Sequence, residues 1–411
     1  MRKPTLKLFA VAGLLIISHL LECADAKDKP KNKKKTIEVV NLNILHGFAC
    51  DPPFPGDGDQ CRVRDRIKLL LKHIAAAGCP DLVTLQENVT RAFVPRTETL
   101  DLAGPLEDTV ALIKAGLPEL AAACGFTYKV VFDRDARRQP MPPPCDGSTP
   151  VPCRGIDEEL ILTRYPALAK EVLPLYGPLA PFFSRHVLYA QIAHPIGPVD
   201  VFTTHLAADI DSGSEECGFK MLPSSPDCPS ECAPAPGDTV TVRECQARQV
   251  AAFVEEKHRV PEPAIIAGDF NATFDSPTYK EFADRGWLDS HLEAGNPECN
   301  PMTGENCTAG RANNNLSHLE SPNLNQNERI DFIFVVPPKA GSKCSGEIQT
   351  SERPGVLSTG LFAAEPNPFA PACGPAPLPI CWPSDHTGNA LNLSCEPSVD
   401  APGHLRSEAS K

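Results

Sequence analysis

The sequence predicts an α/β fold in which every sheet face is covered. Three observations lead there. Strand-like and helical hydrophobic patterns alternate along the chain. Several strand patterns are apolar on both faces, so each face must be covered, as helices on one side and a second sheet on the other would do. The 411 residues, 42% of them hydrophobic, suffice for one large core or two ordinary domains.

Residues 37–44 read as the first strand. Residues 62–77 place Val63, Ile67, Leu70, Leu71 and Ile74 on one helical face. A strand follows at 81–85, then a helix over 106–122 with Leu106, Val110, Ile113, Leu117 and Leu120 in register. Short strands are expected at 128–132, 159–163, 186–193 and 199–204. Residues 241–256 form a helix with Val250, Phe253 and Val254 inward, and strands at 264–267, 330–336 and 389–393 complete the set. The Cys- and Pro-rich stretches 133–157, 207–240 and 337–383 read as loop insertions within one domain spanning 36–396, and residues 397–411 as a disordered tail.

The N-terminus reads as an export signal over residues 1–26. Arg2, Lys3 and Lys7 precede an apolar run from Leu8 to Leu21, and Ala24-Asp25-Ala26 forms the cleavage pattern. The run is short for a membrane span, so the mature chain is expected to be secreted or periplasmic with no transmembrane segment. Glu22 is a poor neighbour for lipid anchoring at Cys23. Residues 27–35 are a basic, solvated linker. Removing Cys23 leaves 16 of the 17 cysteines, and an even number in an exported chain points to disulfides. Cys50 and Cys61, Cys145 and Cys153, Cys299 and Cys307, and Cys373 and Cys381 neighbour one another in loops, while Cys217, Cys228, Cys232 and Cys245 cluster at one insertion. A zinc pair at Cys228 and Cys232 competes with oxidation but lacks histidines nearby.

The net charge of −13 argues against a broad basic surface for nucleic acid, though not against an enzyme that meets phosphate through metal ions. Two tryptophans provide neither a stacking platform for single strands nor a membrane-inserting belt.

The chemistry gathers at strand ends. Ala264-Ile265-Ile266-Ala267 is a buried-strand pattern, and Gly268 then frees the backbone before Asp269 and Asn271. Residues two apart in an extended segment point to one side, which aims a carboxylate and a carboxamide together. Alone, this could equally be a strand ending in an Asx turn. Asn43, Gln86-Glu87, His205, Asp331 and Asp385-His386 stand at other strand ends. Glu87 could instead cap a loop, and Asp331 could pair with Arg329. His73, His186, His194, His291 and His318 lack such a setting and read as structural or surface residues, and Arg164 as structural. Asn271 also heads a glycosylation sequon, as do Asn88, Asn306, Asn315 and Asn392. A glycan on Asn271 would block the site.

Asn43, Gln86-Glu87, Ile161-Leu162-Thr163-Arg164-Tyr165-Pro166, Thr204-His205, Gly268-Asp269-Phe270-Asn271, Arg329-Ile330-Asp331 and Ser384-Asp385-His386 resemble, in order, the motifs of the endonuclease/exonuclease/phosphatase superfamily. The resemblance spans residues 37–393. It implies an α/β fold of four layers, an α/β/β/α sandwich of two packed mixed sheets flanked by helices, with the site at the strand ends. It implies Mg²⁺, with Mn²⁺ or Ca²⁺ as substitutes, held by Glu87 with Asn43 beside it. Asp269 and Asn271 would contact the attacking water, a phosphoryl oxygen or a second cation, and Asp385 would be a further ligand. His386 would be the general base oriented by Asp331, and His205 would donate to a phosphoryl oxygen or the leaving group.

The function expected is therefore a phosphodiesterase acting on nucleic acid or phospholipid, with no obligate protein partner. A phosphomonoesterase for inositol phosphates ranks lower because no basic cluster is evident. An inactive binding protein on the same fold would typically have lost Glu87 or His386, and both are present.

Overall fold

The computed structural model describes residues 36–46, 60–89, 107–136, 158–177, 185–209, 212–220, 225–234, 238–310, 316–323, 326–350 and 357–395. The expected signal peptide, basic linker and tail lie outside the described residues, as does most of the 133–157 insertion. The chain divides into units at Met1–Lys34 and Lys35–Lys411, and the second carries the fold described below.

Its strands are β1 (Thr36–Asn43), β2 (Leu82–Asn88), β3 (Lys129–Phe132), β4 (Glu158–Thr163), β5 (Ala167–Pro174), β6 (His186–His194), β7 (Gly197–His205), β8 (Ala264–Asp269), β9 (Leu288–Asp289), β10 (Asp331–Val336), β11 (Glu347–Ile348), β12 (Gly360–Phe362) and β13 (Gly388–Ser394). One sheet runs β11-β13-β1-β2-β4-β3 with β12 also on β13, and the other β5-β6-β7-β8-β10-β9. Both are mixed: β1 with β2 and β7 with β8 are parallel, and their other neighbours antiparallel. Helices α1 (Val63–Ala76) and α2 (Thr109–Cys124) share a core with the outer face of the first sheet. After the single turn α3 (Asp133–Ala136), α4 (Val242–Lys257) and α5 (Pro277–Ala283) cover the outer face of the second. The four layers expected are thus observed.

Local chemistry sets the helix ends. Asp108 caps α2 by accepting from the Ala111 amide, and Gly125 closes it in the left-handed conformation. Thr241 and Glu244 form a reciprocal capping box at the start of α4. Of the faces the periodicity predicts, Val63, Ile67, Leu70 and Ile74 of α1 and Val250, Phe253 and Val254 of α4 are buried, and Leu71 of α1 is half-buried.

Between the sheets the composition changes along the strands. Ile37 and Val39 of β1, Val199 and Val201 of β7, Ile265 and Ala267 of β8, and Leu391 and Leu393 of β13 make an apolar layer. Continuing each alternation upward reaches Asn41, Thr203 and Asn389, then Asn43, His205 and Asp269. The intermediate tier is hydrogen-bonded across the sandwich. Asn41 Oδ1 accepts from Thr84 Oγ1 and Gln86 Nε2, each at 2.8 Å, and Asn41 Nδ2 donates to Gly268 O at 3.3 Å. Gln86 Nε2 also donates to Thr203 Oγ1 at 2.8 Å.

Strand β5 escapes the sequence patterns because it is a sheet edge. Residues Ala167 to Glu171 are all exposed, so no alternation marks them. The 337–383 insertion supplies β11 and β12 to the first sheet, so it is more structured than a loop.

Among the described residues, disulfides join Cys79–Cys124, Cys217–Cys228, Cys232–Cys245, Cys299–Cys307, Cys344–Cys395 and Cys373–Cys381. The zinc reading of Cys228 and Cys232 is overturned, because each is oxidised with a different partner. Cys79–Cys124 and Cys344–Cys395 span 45 and 51 residues, too far for loop neighbourhood to suggest. No helix among the described residues is long and apolar enough to cross a membrane.

One buried histidine makes acid stability predictable. His73 of α1 packs edge-on against Phe362 and Phe369, with ring centroids 6.0 and 5.0 Å away. Burial lowers its pKa from 6.5 to about 4. The buried neutral ring must charge on acidification, so its contribution is full above pH 6.5 and is lost as pH falls toward 4. At roughly 1.4 kcal/mol per pKa unit, that loss is about 3 kcal/mol. Urea unfolding at neutral and at mildly acidic pH should show a smaller acid penalty in His73→Leu than in the wild type. Equal penalties would refute this.

Candidate active site

The uppermost tier of the inter-sheet layer gathers residues from both sheets. Asn43 ends β1, and its Nδ2 donates to Glu87 Oε1 at 2.8 Å and to Asp269 Oδ2 at 2.9 Å. Its Oδ1 accepts from the Leu45 amide at 2.9 Å. The amide thus bridges two carboxylates from opposite sheets and faces them with nitrogen.

Glu87 is brought inward by a bulge. The β2–β4 register shifts between Leu85 and Asn88, and Glu87 takes a left-handed φ of 58°. Strict alternation would have turned it to the other face from Gln86, so the bulge re-aims the carboxylate. Glu87 Oε2 accepts from the His46 amide at 2.9 Å.

Asp269 is the last residue of β8. Its Oδ1 accepts from the Asn271 amide at 2.9 Å, and its Oδ2 lies 3.5 Å from His205 Nε2 and 3.8 Å from His386 Nε2. The role expected of Gly268 needs correction. Gly268 lies within the strand, and a Cβ there would stand 2.1 Å from Thr204 O on β7. It permits close approach between parallel strands, while Asn271 itself takes the left-handed turn at φ 48°. The Asn271 side chain is held by donation from Nδ2 to Leu206 O at 2.9 Å.

Asp331 opens β10 directly opposite Asp269 in the ladder. His386 Nδ1 donates to Asp331 Oδ2 at 2.8 Å. Arg329 does not compete, because it pairs with Asp289 and Glu298. Burial opposes charge on His386, but the Asp331 and Asp385 charges and the hydrogen bond to Asp331 outweigh it and raise its pKa well above 6.5. Burial raises Asp331 above the usual carboxylate range, partly offset by His386. Asp385 is also raised by burial; His386 opposes this, the Glu87 charge adds to it, and Arg66 and Ser384 oppose it.

Every predicted site residue is therefore at this edge. Ligand-capable atoms of Glu87, His205 and Asp269 lie within 4.8 Å of one another, as do those of Asp269, Asp331 and His386. Asp385 adjoins them through its charge interactions with Glu87 and His386. The donor set suits a divalent cation, since several buried carboxylates crowded together need positive charge between them.

Supporting residues went unpredicted. Ser384 Oγ donates to Asn43 O at 2.6 Å, and Thr308 Oγ1 accepts from the Ile330 and Asp331 amides at 3.1 and 3.2 Å. Ser384 stands in the motif with Asp385-His386 but without a role, and nothing in the sequence signalled Thr308. His186, expected to be structural or at the surface, is buried and shares a third donor group with Asp133 and Glu159 within 4.8 Å. Arg164 stacks on Phe126 at 4.3 Å, beyond the opposite end of β4, and is structural. The sequons Asn88 and Asn392 are buried, which bars glycans there, and Asn315 lies outside the described residues.

A family model for the Endonuclease/Exonuclease/phosphatase family matches residues 40–386. No curated protein matches the chain. Among solved structures, an endonuclease/exonuclease/phosphatase from Bacteroides vulgatus is 17% identical with a TM-score of 0.49, covering 88% of this chain and 100% of its own. A mannosyl-6-phosphatase from Bacteroides thetaiotaomicron VPI-5482 is 15% identical with a TM-score of 0.49, covering 86% of this chain and 98% of its own. Truncated TDP2 from Caenorhabditis elegans is 14% identical with a TM-score of 0.47, covering 88% of this chain and 98% of its own. With 40–386 matched by the family model, the chain belongs to the Endonuclease/Exonuclease/phosphatase family, whose members are hydrolytic phosphoesterases.

Proposed function

We propose that this protein is an exported, Mg²⁺-dependent phosphodiesterase that cleaves a phosphoric ester by attack of water. The observation that carries the reading is the Asp331–His386 pair, with His386 Nε2 directed to within 3.8 Å of Asp269 beside the Glu87–His205–Asp269 donors. Oxidised cysteines support export.

Asp331 fixes the His386 proton on Nδ1, which leaves Nε2 as the base. Water positioned by Asp269 and Asn271 loses its proton to Nε2, and Asp331 supports the imidazolium that forms. His205 Nε2 donates to a phosphoryl oxygen or to the departing oxygen. Glu87 would hold the cation, with Asn43 orienting its carboxylate and Asp385 as a further ligand or water contact. When bound, a divalent ion there neutralises phosphoryl charge and makes water a better acid.

Turnover should vanish in excess EDTA and return with Mg²⁺ or Mn²⁺. Plasmid DNA, RNA, sphingomyelin and a generic bis-phosphate ester, assayed side by side, would assign the substrate between nucleic acid and phospholipid. Undiminished hydrolysis in EDTA, or no hydrolysis of any phosphate ester with metal present, would overturn the reading.

A further inference from the structure

We propose that Arg66 is a positioning residue, tying the loop after Asn43 to the loop that delivers Asp385 and His386. The proposal rests on the hydrolase reading above.

Arg66 sits in α1 and is fully buried. Its Nε donates to Cys61 O at 2.8 Å, its Nη1 to Ile44 O at 2.6 Å and Pro383 O at 3.3 Å, and its Nη2 to Leu45 O at 3.1 Å. Ile44 and Leu45 directly follow Asn43, and Leu45 holds a left-handed φ of 53°. Pro383 directly precedes Ser384-Asp385-His386. One planar guanidinium therefore fixes carbonyls on both segments, and Ser384 Oγ bonds Asn43 O beside it.

The geometry needs a guanidinium. Its N–H groups form a rigid fork that can meet carbonyls arriving from several directions in one plane. A lysine ammonium keeps the charge but collapses the donors to one point, so it can hold one loop and not both. The two loops flank the paired strands β1 and β13 and both carry site residues, and a displacement of about 1 Å between them can cost about 100-fold in rate.

A control lies in the same helix region. Arg62 is also buried, and it donates to Gly374 O, Leu378 O, Asp65 and Glu320. It holds the 374–378 segment and bonds neither catalytic loop.

The test compares Arg66→Lys and Arg62→Lys in the full chain, reading kcat and KM on a small bis-phosphate ester with Mg²⁺, the thermal midpoint, and Mn²⁺ binding by electron paramagnetic resonance. Arg66→Lys should lower kcat about 10- to 100-fold with KM within about 2-fold. Arg62→Lys should lose comparable thermal stability and keep kcat within about 3-fold. Wild-type kcat in Arg66→Lys, or an equal kcat loss in Arg62→Lys, would overturn the proposal. Should Arg66→Lys not fold, Arg66→Gln serves as the second variant under the same criteria. If the wild type hydrolyses nothing, the hydrolase reading fails by itself. The positioning role is then decided by Mn²⁺: affinity weakened in Arg66→Lys but not in Arg62→Lys supports it, and equal affinities reject it.

Discussion

Replacing His386 with alanine is expected to lower kcat about 10²- to 10⁴-fold, the range a positioned acid–base group contributes. The melting temperature should stay near the wild-type value, because burial already holds the Asp331 carboxyl above the usual carboxylate range and, without the histidine, it can take up a proton instead of standing as an unpaired charge. Asp331→Asn provides the companion measurement. A base must be neutral to act, and Asp331 raises the His386 pKa. The acid limb of kcat/KM should therefore lie at higher pH in the wild type and move to lower pH in Asp331→Asn, while the plateau falls. An acid limb that stays in place, or full activity in His386→Ala, would remove His386 from the role of base.

Asp269→Ala should lose at least as much, about 10³-fold or more, because that carboxylate is shared by more of the site than any other group described. It accepts from Asn43 Nδ2 and the Asn271 amide, and it faces both His205 and His386. Its removal leaves the bridging amide of Asn43 with Glu87 alone and releases the turn at Asn271. The fold should tolerate the change, since relieving repulsion with Asp331 offsets the lost hydrogen bonds. Steady-state kinetics with parallel calorimetric melting checks both halves. Near-wild-type turnover would show that Asp269 only supports the structure.

How much of this could be read from the residues depended on whether alternation ran unbroken to the strand end. It did in β1, β7 and β8, so Asn43, His205 and Asp269 could be placed with the inward tier. Glu87 was nameable by its position after a strand, but its direction was not, because a bulge reverses its face. Asn271 reaches the edge beside Asp269 by another backbone path than the sequence suggests. Extended spacing was assumed, whereas a left-handed turn places it, and the glycine before it serves strand packing. Arg66 and Thr308 were invisible for another reason. Their contacts run to backbone atoms of segments distant in sequence, and backbone acceptors leave no mark in residue identity. Edge strand β5 failed because exposure on both faces removes the pattern itself.

The amide and hydroxyl tier of Asn41, Thr84, Gln86 and Thr203 has a consequence for how the protein fails. It bolts the floor of the site to both sheets at once, so no subset of strands can loosen beneath the chemistry while the rest holds. Such a site has no softer mode of its own. Heat or denaturant should extinguish activity and tertiary structure in one step, without an inactive but folded stage.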